Sequence, residues 1–121
     1  MSLEKHFNEL IDTLKRHPII TKAELIRKIL LNDEGYIRAI AKTLRGNRLH
    51  IFEYMIHGEM EKYAYHLQDP SERLVFRYDN RPHHSEINTF PHHKHAHNSQ
   101  KPQPSGKPSL KEVLDEALKY E

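Results

Sequence analysis

The sequence predicts an α+β fold in which an N-terminal helix packs on a four- to five-stranded antiparallel meander sheet. Residues 2–16 carry one apolar stripe at helical spacing. Turn residues then recur at strand-like intervals between residues 19 and 79, which is typical of consecutive antiparallel strands. A histidine-rich loop follows the sheet, and a capping box at Ser109 begins a C-terminal helix.

The first helix is predicted from Ser2 to Arg16. Its apolar side chains recur three or four residues apart and form one face, made of Leu3, Phe7, Leu10, Ile11 and Leu14. Ser2 is suited to cap the N-terminus, and Pro18 ends the helix because the residue before a proline disfavours helical dihedral angles. We expect the apolar face of this helix to cover the sheet.

Turn residues at 32–35, 46–47, 58–59 and 69–72 divide the following segment into strands. We predict the first strand at Ala23–Leu31, although its leucine and isoleucine residues also suit a helix. Turn geometry sets the register of the later strands.

A two-residue turn at Gly58-Glu59 places Ile51 opposite His66, and the loop at 69–72 places His66 opposite Val75. The predicted core face then carries Phe52, Tyr54, Ile56, Tyr63, Tyr65, Leu67, Leu74, Phe76 and Tyr78. The other face collects Ile51, Glu53, Met55, Lys62, Ala64, His66, Gln68, Val75, Arg77 and Asp79. This polar face is either a functional surface or a plain solvent-facing one.

Length and composition restrict the class of protein. The 121 residues, with a formal net charge of +2, suit one α+β domain over residues 1–97 that includes a histidine-rich loop at 80–97. Residues 98–108 have the composition of a flexible linker, and 109–121 form the C-terminal helix. The absence of cysteine excludes disulfides, thiolate zinc sites and a cysteine nucleophile. No apolar run suits a membrane span or a signal peptide, so we expect a cytoplasmic protein.

A dense histidine run follows Arg77-Tyr78-Asp79-Asn80 and comprises His83, His84, His92, His93, His95 and His97. Histidine exchanges a proton near neutral pH and is also the commonest metal ligand. Between residues 81 and 108, four basic side chains stand against Glu86 alone, so the segment suits phosphate. The run is therefore an acid–base site, a metal site or a solvated polar loop.

Acid–base cleavage of RNA is the first chemistry that the pattern fits. It needs a base for the 2′-hydroxyl, an acid for the leaving 5′-oxygen and a cation for the charged phosphorane. His66 and Arg77 share the predicted polar face, and the loop after Asp79 can bring His83 or a histidine of 92–95 over it. Asp79 can also orient a histidine. The alternative bases are Glu53 and Glu86.

Metal binding is the second chemistry. His93, His95 and His97 alternate along the chain, so an extended backbone points their imidazoles the same way. His83 or Asp79 would complete a tetrahedral zinc site. Zinc is the cofactor of this alternative, whereas RNA cleavage by histidine needs none. A third alternative is a non-catalytic module that binds a partner through its C-terminal helix.

Three ordered motifs carry a family resemblance: Y-A-Y-H-L-Q at 63–68, R-Y-D-N-x-P-H-H at 77–84 and T-F-P-H-H-K-H at 89–95. Together with the opening helix and the closing P-S-L-K-E-V-L-D-E segment, they resemble the TumE family of toxins over essentially the full chain. These proteins are the toxin halves of prokaryotic type II toxin–antitoxin modules.

The resemblance implies an antiparallel α+β fold similar to the barnase–EndoU–colicin–RelE group of ribonucleases, and neutralisation by a cognate antitoxin. The site residues to which it points are His66, Arg77, Asp79, His83, His92, His93 and His95. Candidate substrate contacts beside them are Glu53, Lys62, Gln68, Asn80, Arg81 and Lys94. Our leading hypothesis is a metal-independent endoribonuclease toxin that binds RNA and an antitoxin; a homo-oligomer is compatible with it.

Overall fold

The computed structural model describes residues 2–82, 89–96 and 102–121. The order of elements in these ranges is α1 (Leu3–Arg16), β1 (Ile20–Leu30), β2 (Glu34–Thr43), β3 (Arg48–Ile56), β4 (Glu59–Gln68), β5 (Leu74–Asp79), β6 (His93–Ala96), β7 (Gln103–Pro104) and α2 (Leu110–Leu118). The seven strands form one antiparallel sheet in which each strand pairs with its neighbours in the chain. The predicted α+β fold and antiparallel meander are confirmed.

The predicted strand count was wrong, because the sheet has seven strands instead of four or five. The two additional strands come from the histidine-rich segment (β6) and from the proline-rich segment before α2 (β7). β6 pairs with β5 and satisfies the backbone groups that β5 would otherwise leave unpaired at a sheet edge. The ambiguous segment after Ala23 is strand, as predicted.

Both helices begin where their capping residues predict. The Ser2 side chain accepts a hydrogen bond from Lys5 N, and α1 ends at Arg16, two residues before Pro18. At α2, Ser109 and Glu112 form a reciprocal capping box. No helix in the described ranges is long and apolar enough to cross a membrane.

The two helices cover the same face of the sheet, which we call the helix face. Phe7 and Leu14 of α1 and Val113 and Leu114 of α2 are fully buried in one core cluster. The sheet contributes side chains that alternate along its strands, including Ile37, Ala39, Leu49, Ile51, Tyr65 and Leu67. Neither helix packs on the other face, which we call the open face; it carries His50, Phe52, Ala64 and His66.

The register between β3 and β4 differs from the predicted one by one residue. The turn lies at His57-Gly58, whose φ angles are both positive (52° and 78°), as a type I′ hairpin turn requires. A β-bulge near Tyr54 then adds one residue, so Ile51 lies opposite Tyr65 and not opposite His66. A shift of one residue exchanges the faces of a strand. The odd-numbered residues of β3 therefore point into the core, and the predicted core residues Phe52, Tyr54 and Ile56 do not.

The register between β4 and β5 differs from the predicted one by two residues, which preserves the faces. His66 lies opposite Arg77 instead of Val75, because Gln68 pairs with Leu74 instead of Arg73 and a second bulge then follows at Leu67. The Asp69 carboxylate closes the intervening loop by accepting hydrogen bonds from Ser71 N and Arg73 N. As a result, His66 and Arg77, which were predicted to share a face, are also direct cross-strand neighbours.

The main consequence of the β3 register is the position of Glu53. Its side chain is buried on the helix face, where Oε1 accepts a hydrogen bond from His6 Nε2 at 2.8 Å and Oε2 accepts one from Tyr65 Oη at 2.6 Å. The hydrogen bond to this carboxylate raises the pKa of His6 above its usual 6.5. Burial raises the pKa of Tyr65, which stays a donor. Glu53 thus ties α1 to the sheet.

We predict that His6→Gln changes how the stability depends on pH. Because folding raises the pKa of His6, its contribution is complete below about pH 6.5 and is lost as the pH rises through the folded-state pKa. Thermal melts should therefore show that wild type exceeds the variant in Tm at about pH 5.5, with a smaller difference at about pH 8.5. A Tm difference that does not vary with pH would contradict this role of the His6–Glu53 pair.

Candidate active site

Two rows of side chains cross the open face of the sheet. In the first row, His50, His66, Arg77 and His95 lie in register on β3, β4, β5 and β6. In the second row, the corresponding residues are Phe52, Ala64, Asp79 and His93. Antiparallel pairing places direct cross-strand neighbours within contact distance, so residues far apart in the chain form one site.

Asp79 is the most buried group of this site, with 2% of its surface exposed. Its Oδ2 lies 2.8 Å from Arg77 Nε, and its Oδ1 lies 2.8 Å from His93 Nε2. The backbone N–H of Arg81 also donates to Oδ1 at 3.1 Å. A buried carboxylate needs such partners, because burial without them would force it to take up a proton. Asp79 therefore fixes the orientation of the Arg77 guanidinium.

His93 is held at both ring nitrogens. Nδ1 lies 3.0 Å from the carbonyl oxygen of Pro91, and Nε2 lies against Asp79. Both partners are oxygen atoms, so the two contacts together fix the orientation of the ring. His93 is thereby oriented by β5 and by the chain that enters β6.

His66 lies in an environment that disfavours the protonated form of its ring. Its pKa is lowered to about 4, mainly by burial and also by the neighbouring cation of Arg77 and the imidazole of His50. Its Nε2 atom is buried and has no hydrogen-bond partner among residues 2–82, 89–96 and 102–121. At neutral pH this imidazole is uncharged, and it can accept a proton.

His50 is a site residue that the sequence analysis missed. Its Nε2 donates to Gln68 Oε1 at 3.1 Å, and its ring centroid lies 6.0 Å from that of His66. The predicted β3 register put Phe52, Tyr54 and Ile56 on the core face, and strand alternation extends that assignment to His50. The alternation of Leu49, Ile51 and Met55 as apolar residues is the sequence signal that would have found it.

A groove of about 770 Å³ lies over this face. Its lining includes the two histidines of β3 and β4 and four cationic side chains, which are Arg38, Lys62, Arg77 and Arg81. Glu61 is the carboxylate residue among the lining residues in the described ranges. Cations beside an uncharged imidazole suit an anionic ligand whose chemistry requires proton transfer.

The structure brings together five of the predicted catalytic residues on the open face, namely His66, Arg77, Asp79, His93 and His95. Of the predicted substrate contacts, those that line the groove are Lys62, Gln68, Asn80 and Arg81. The Asn80 amide also has a structural role, because it accepts a hydrogen bond from Tyr63 N and donates one to Glu61 O.

Three predicted site residues lie on the helix face instead. Glu53 bonds His6 and Tyr65, as described above. His92 stacks on Tyr63 and bonds its hydroxyl group at 2.9 Å. Lys94 points away from its neighbours His93 and His95 because side chains alternate along a strand, and it pairs with Glu116 of α2 at 2.7 Å.

Other predicted site residues, His83, Glu86 and His97, lie outside the described residues. Among the described ones, Asp79, His93 and His95 could hold a metal ion, because their ligand atoms lie within 4.8 Å of one another. Two imidazoles and one carboxylate are a donor set that zinc accepts. Arg77 shares the same carboxylate, however, and its positive charge opposes a divalent cation there.

The fold and the site together define a small α+β protein with a cationic, histidine-bearing groove on the open face of an antiparallel sheet. The family model described as Toxin TumE matches residues 9–121. The chain belongs to the TumE toxin family, as the sequence motifs predicted. Membership makes it a toxin of a toxin–antitoxin system and implies a cognate antitoxin as partner.

Comparison with curated proteins finds no match, and comparison with solved structures finds none either. The expected relation to the barnase–EndoU–colicin–RelE group therefore stays a prediction.

We predict that Arg77 controls the protonation of His66. In wild type, an NMR titration of His66 should give a pKa of about 4. Arg77→Gln removes a neighbouring cation and should move this pKa upwards, whereas Arg77→Lys keeps the charge and should leave it low. An unchanged His66 titration in the glutamine variant would show that burial alone lowers the pKa.

Proposed function

We propose that this toxin is a ribonuclease that cleaves RNA without a metal ion. The observation that carries the proposal is the pairing of His66 with Arg77 in the groove. One side chain is an imidazole that is uncharged at neutral pH, and the other is a guanidinium paired with Asp79. A base beside an oriented phosphate-binding cation is the minimum that RNA cleavage requires.

The reaction assigns one task to each group. The His66 imidazole takes the proton of the 2′-hydroxyl, whose oxygen attacks the adjacent phosphorus. Arg77 binds the non-bridging phosphate oxygens, on which negative charge grows in the transition state. The bond to the 5′-oxygen then breaks, and an imidazolium donates a proton to that oxygen. The products are a 2′,3′-cyclic phosphate and a 5′-hydroxyl.

His95 is the proposed acid. In-line displacement needs the attacking and leaving oxygens on opposite sides of phosphorus. His66 and His95 lie directly opposite Arg77 on the two neighbouring strands, so they flank it from both sides. Adjacent strands are about 4.8 Å apart, which separates the two histidine backbones by roughly 10 Å and leaves room for a phosphate between their rings.

Substrate binding itself prepares His66 for its task. The Arg77 cation contributes to the low pKa of His66 in the unoccupied groove. A phosphate on Arg77 would offset that positive charge and raise the pKa towards neutrality. The imidazole would then become a stronger base when RNA is bound, because Brønsted behaviour favours a base whose pKa lies near the working pH.

A zinc site is the second candidate function, and the convergence of Asp79, His93 and His95 favours it. Such a site would use the same open face. The two candidate functions predict opposite effects of a chelator on activity. Zinc chemistry would be lost on chelation, and histidine acid–base chemistry would not.

The central prediction is that the purified toxin cleaves single-stranded RNA in the presence of EDTA and leaves a 2′,3′-cyclic phosphate. We expect His66→Gln to lower kcat/KM by about 10²–10⁴-fold, because it removes the base. Arg77→Gln should lower kcat/KM by about 10²–10³-fold, because it removes the charge that stabilises the transition state. Single-turnover assays with end-group analysis of the products measure both effects.

His57→Gln is the matched control, because His57 is an exposed histidine at the β3–β4 turn. It should cleave at the wild-type rate. Undiminished cleavage by the His66 and Arg77 variants would overturn the proposed mechanism. Growth arrest on expression without RNA cleavage would instead indicate a toxin that acts by binding.

The zinc alternative predicts one equivalent of metal that resists dialysis. Titration calorimetry with zinc should then give a stoichiometry near one, and the Tm should fall on chelation. His95→Ala should abolish the binding, while His57→Gln should retain it. Full RNA cleavage after chelation would exclude a catalytic role for the metal.

A further inference from the structure

A guanidinium lies over an aromatic ring beside the proposed catalytic row. Arg38 Cζ lies 4.4 Å from the centroid of the Phe52 ring, and both side chains line the groove. We propose that this pair is a stacking subsite for a nucleobase of single-stranded RNA, next to the cleaved phosphate. The proposal rests on the proposed function and adds the class of substrate that the groove takes.

The position of Phe52 fits one nucleotide next to the cleaved bond. It follows His50 by two residues on the same face of β3, which is about 7 Å along the strand. A phosphate bound to Arg77 between His66 and His95 therefore has its adjoining base within reach of the ring. Ala64 lies directly opposite Phe52, and its small side chain leaves space beside the ring at the level of Asp79.

The groove combines apolar and cationic side chains, as sites for single-stranded nucleic acid do. Its lining includes exposed large apolar side chains, with Ile26 at 52% and Phe90 at 43%. Its cations suit phosphates, whereas the ring of Phe52 and the planar guanidinium of Arg38 suit the face of a base. A duplex hides the faces of its bases, so the subsite favours unpaired RNA.

The subsite should recognise a base by its face and not by its edge. The Asn80 amide, which lines this part of the groove and has the groups to read a base edge, already bonds Tyr63 N and Glu61 O. Stacking tolerates any base because every base has a π-face. We therefore expect little discrimination among the four bases, but a large loss when the base is absent.

The test uses a DNA strand with a single ribonucleotide, which fixes the cleaved phosphate at one position. Replacing one base next to that phosphate by an abasic sugar should lower kcat/KM for wild type by about 5- to 150-fold. Phe52→Leu keeps the apolar volume but lacks the planar face. It should lower cleavage of the intact strand by a similar factor and should respond little to the abasic change.

Two further variants sharpen the result. Phe52→Trp keeps a planar ring and should restore both the rate and the sensitivity to the abasic sugar. Leu44→Ala removes an exposed apolar side chain outside the groove and should behave as wild type. The all-DNA strand, which lacks the attacking hydroxyl, provides a binding measurement by fluorescence anisotropy without cleavage.

The outcomes separate the two proposals. Cleavage with equal abasic sensitivity in wild type and Phe52→Leu would overturn the subsite and leave the ribonuclease standing. Binding of the all-DNA strand that Phe52→Leu weakens, without cleavage of the chimeric strand, would support the subsite and overturn the ribonuclease. Failure of wild type to bind or cleave either strand would overturn both.

Discussion

The buried carboxylate of Asp79 is the interaction on which the candidate site depends. It lies under the open face with Arg77 on one oxygen and His93 on the other, so it links β5 to β6 and fixes a guanidinium at the floor of the groove. Removing one partner of a buried pair typically costs about 3–5 kcal/mol, because the remaining charge loses its compensation. The contact of Asp79 with His93 thus adds to the backbone pairing that joins the histidine-rich segment to β5.

The two faces of the sheet use buried carboxylates for different purposes. On the helix face, Glu53 bonds His6 and Tyr65 and so attaches α1 to the core. On the open face, Asp79 leaves its partner Arg77 beside the groove. Arg77 in turn helps to keep His66 uncharged, which a proton acceptor requires. The helices bury one polar network and leave the other facing the space in which a ligand can bind.

Local sequence signals predicted the parts of the fold that depend on local structure. Ser2 and Ser109 cap the two helices as expected, and the alternation of His93 and His95 places both on one face. The strand register was harder to predict from the sequence, because it depends on which two residues form a turn and on where bulges occur. The difference between a turn at His57-Gly58 and one at Gly58-Glu59, together with one bulge, moved Glu53 from the predicted site into the core.

By itself, the sequence determined the class of fold, the family and the placement of His66 and Arg77 on one face, since these follow from periodicity, capping residues and ordered motifs. Only the tertiary structure decided which histidines accompany that pair. It added His50, joined His93 and His95 to the sheet, and directed His92 and Lys94 to the helix face. The physical reason is that side chains alternate along a strand, so a shift of one residue in pairing exchanges the two faces, and pairing depends on contacts between distant segments.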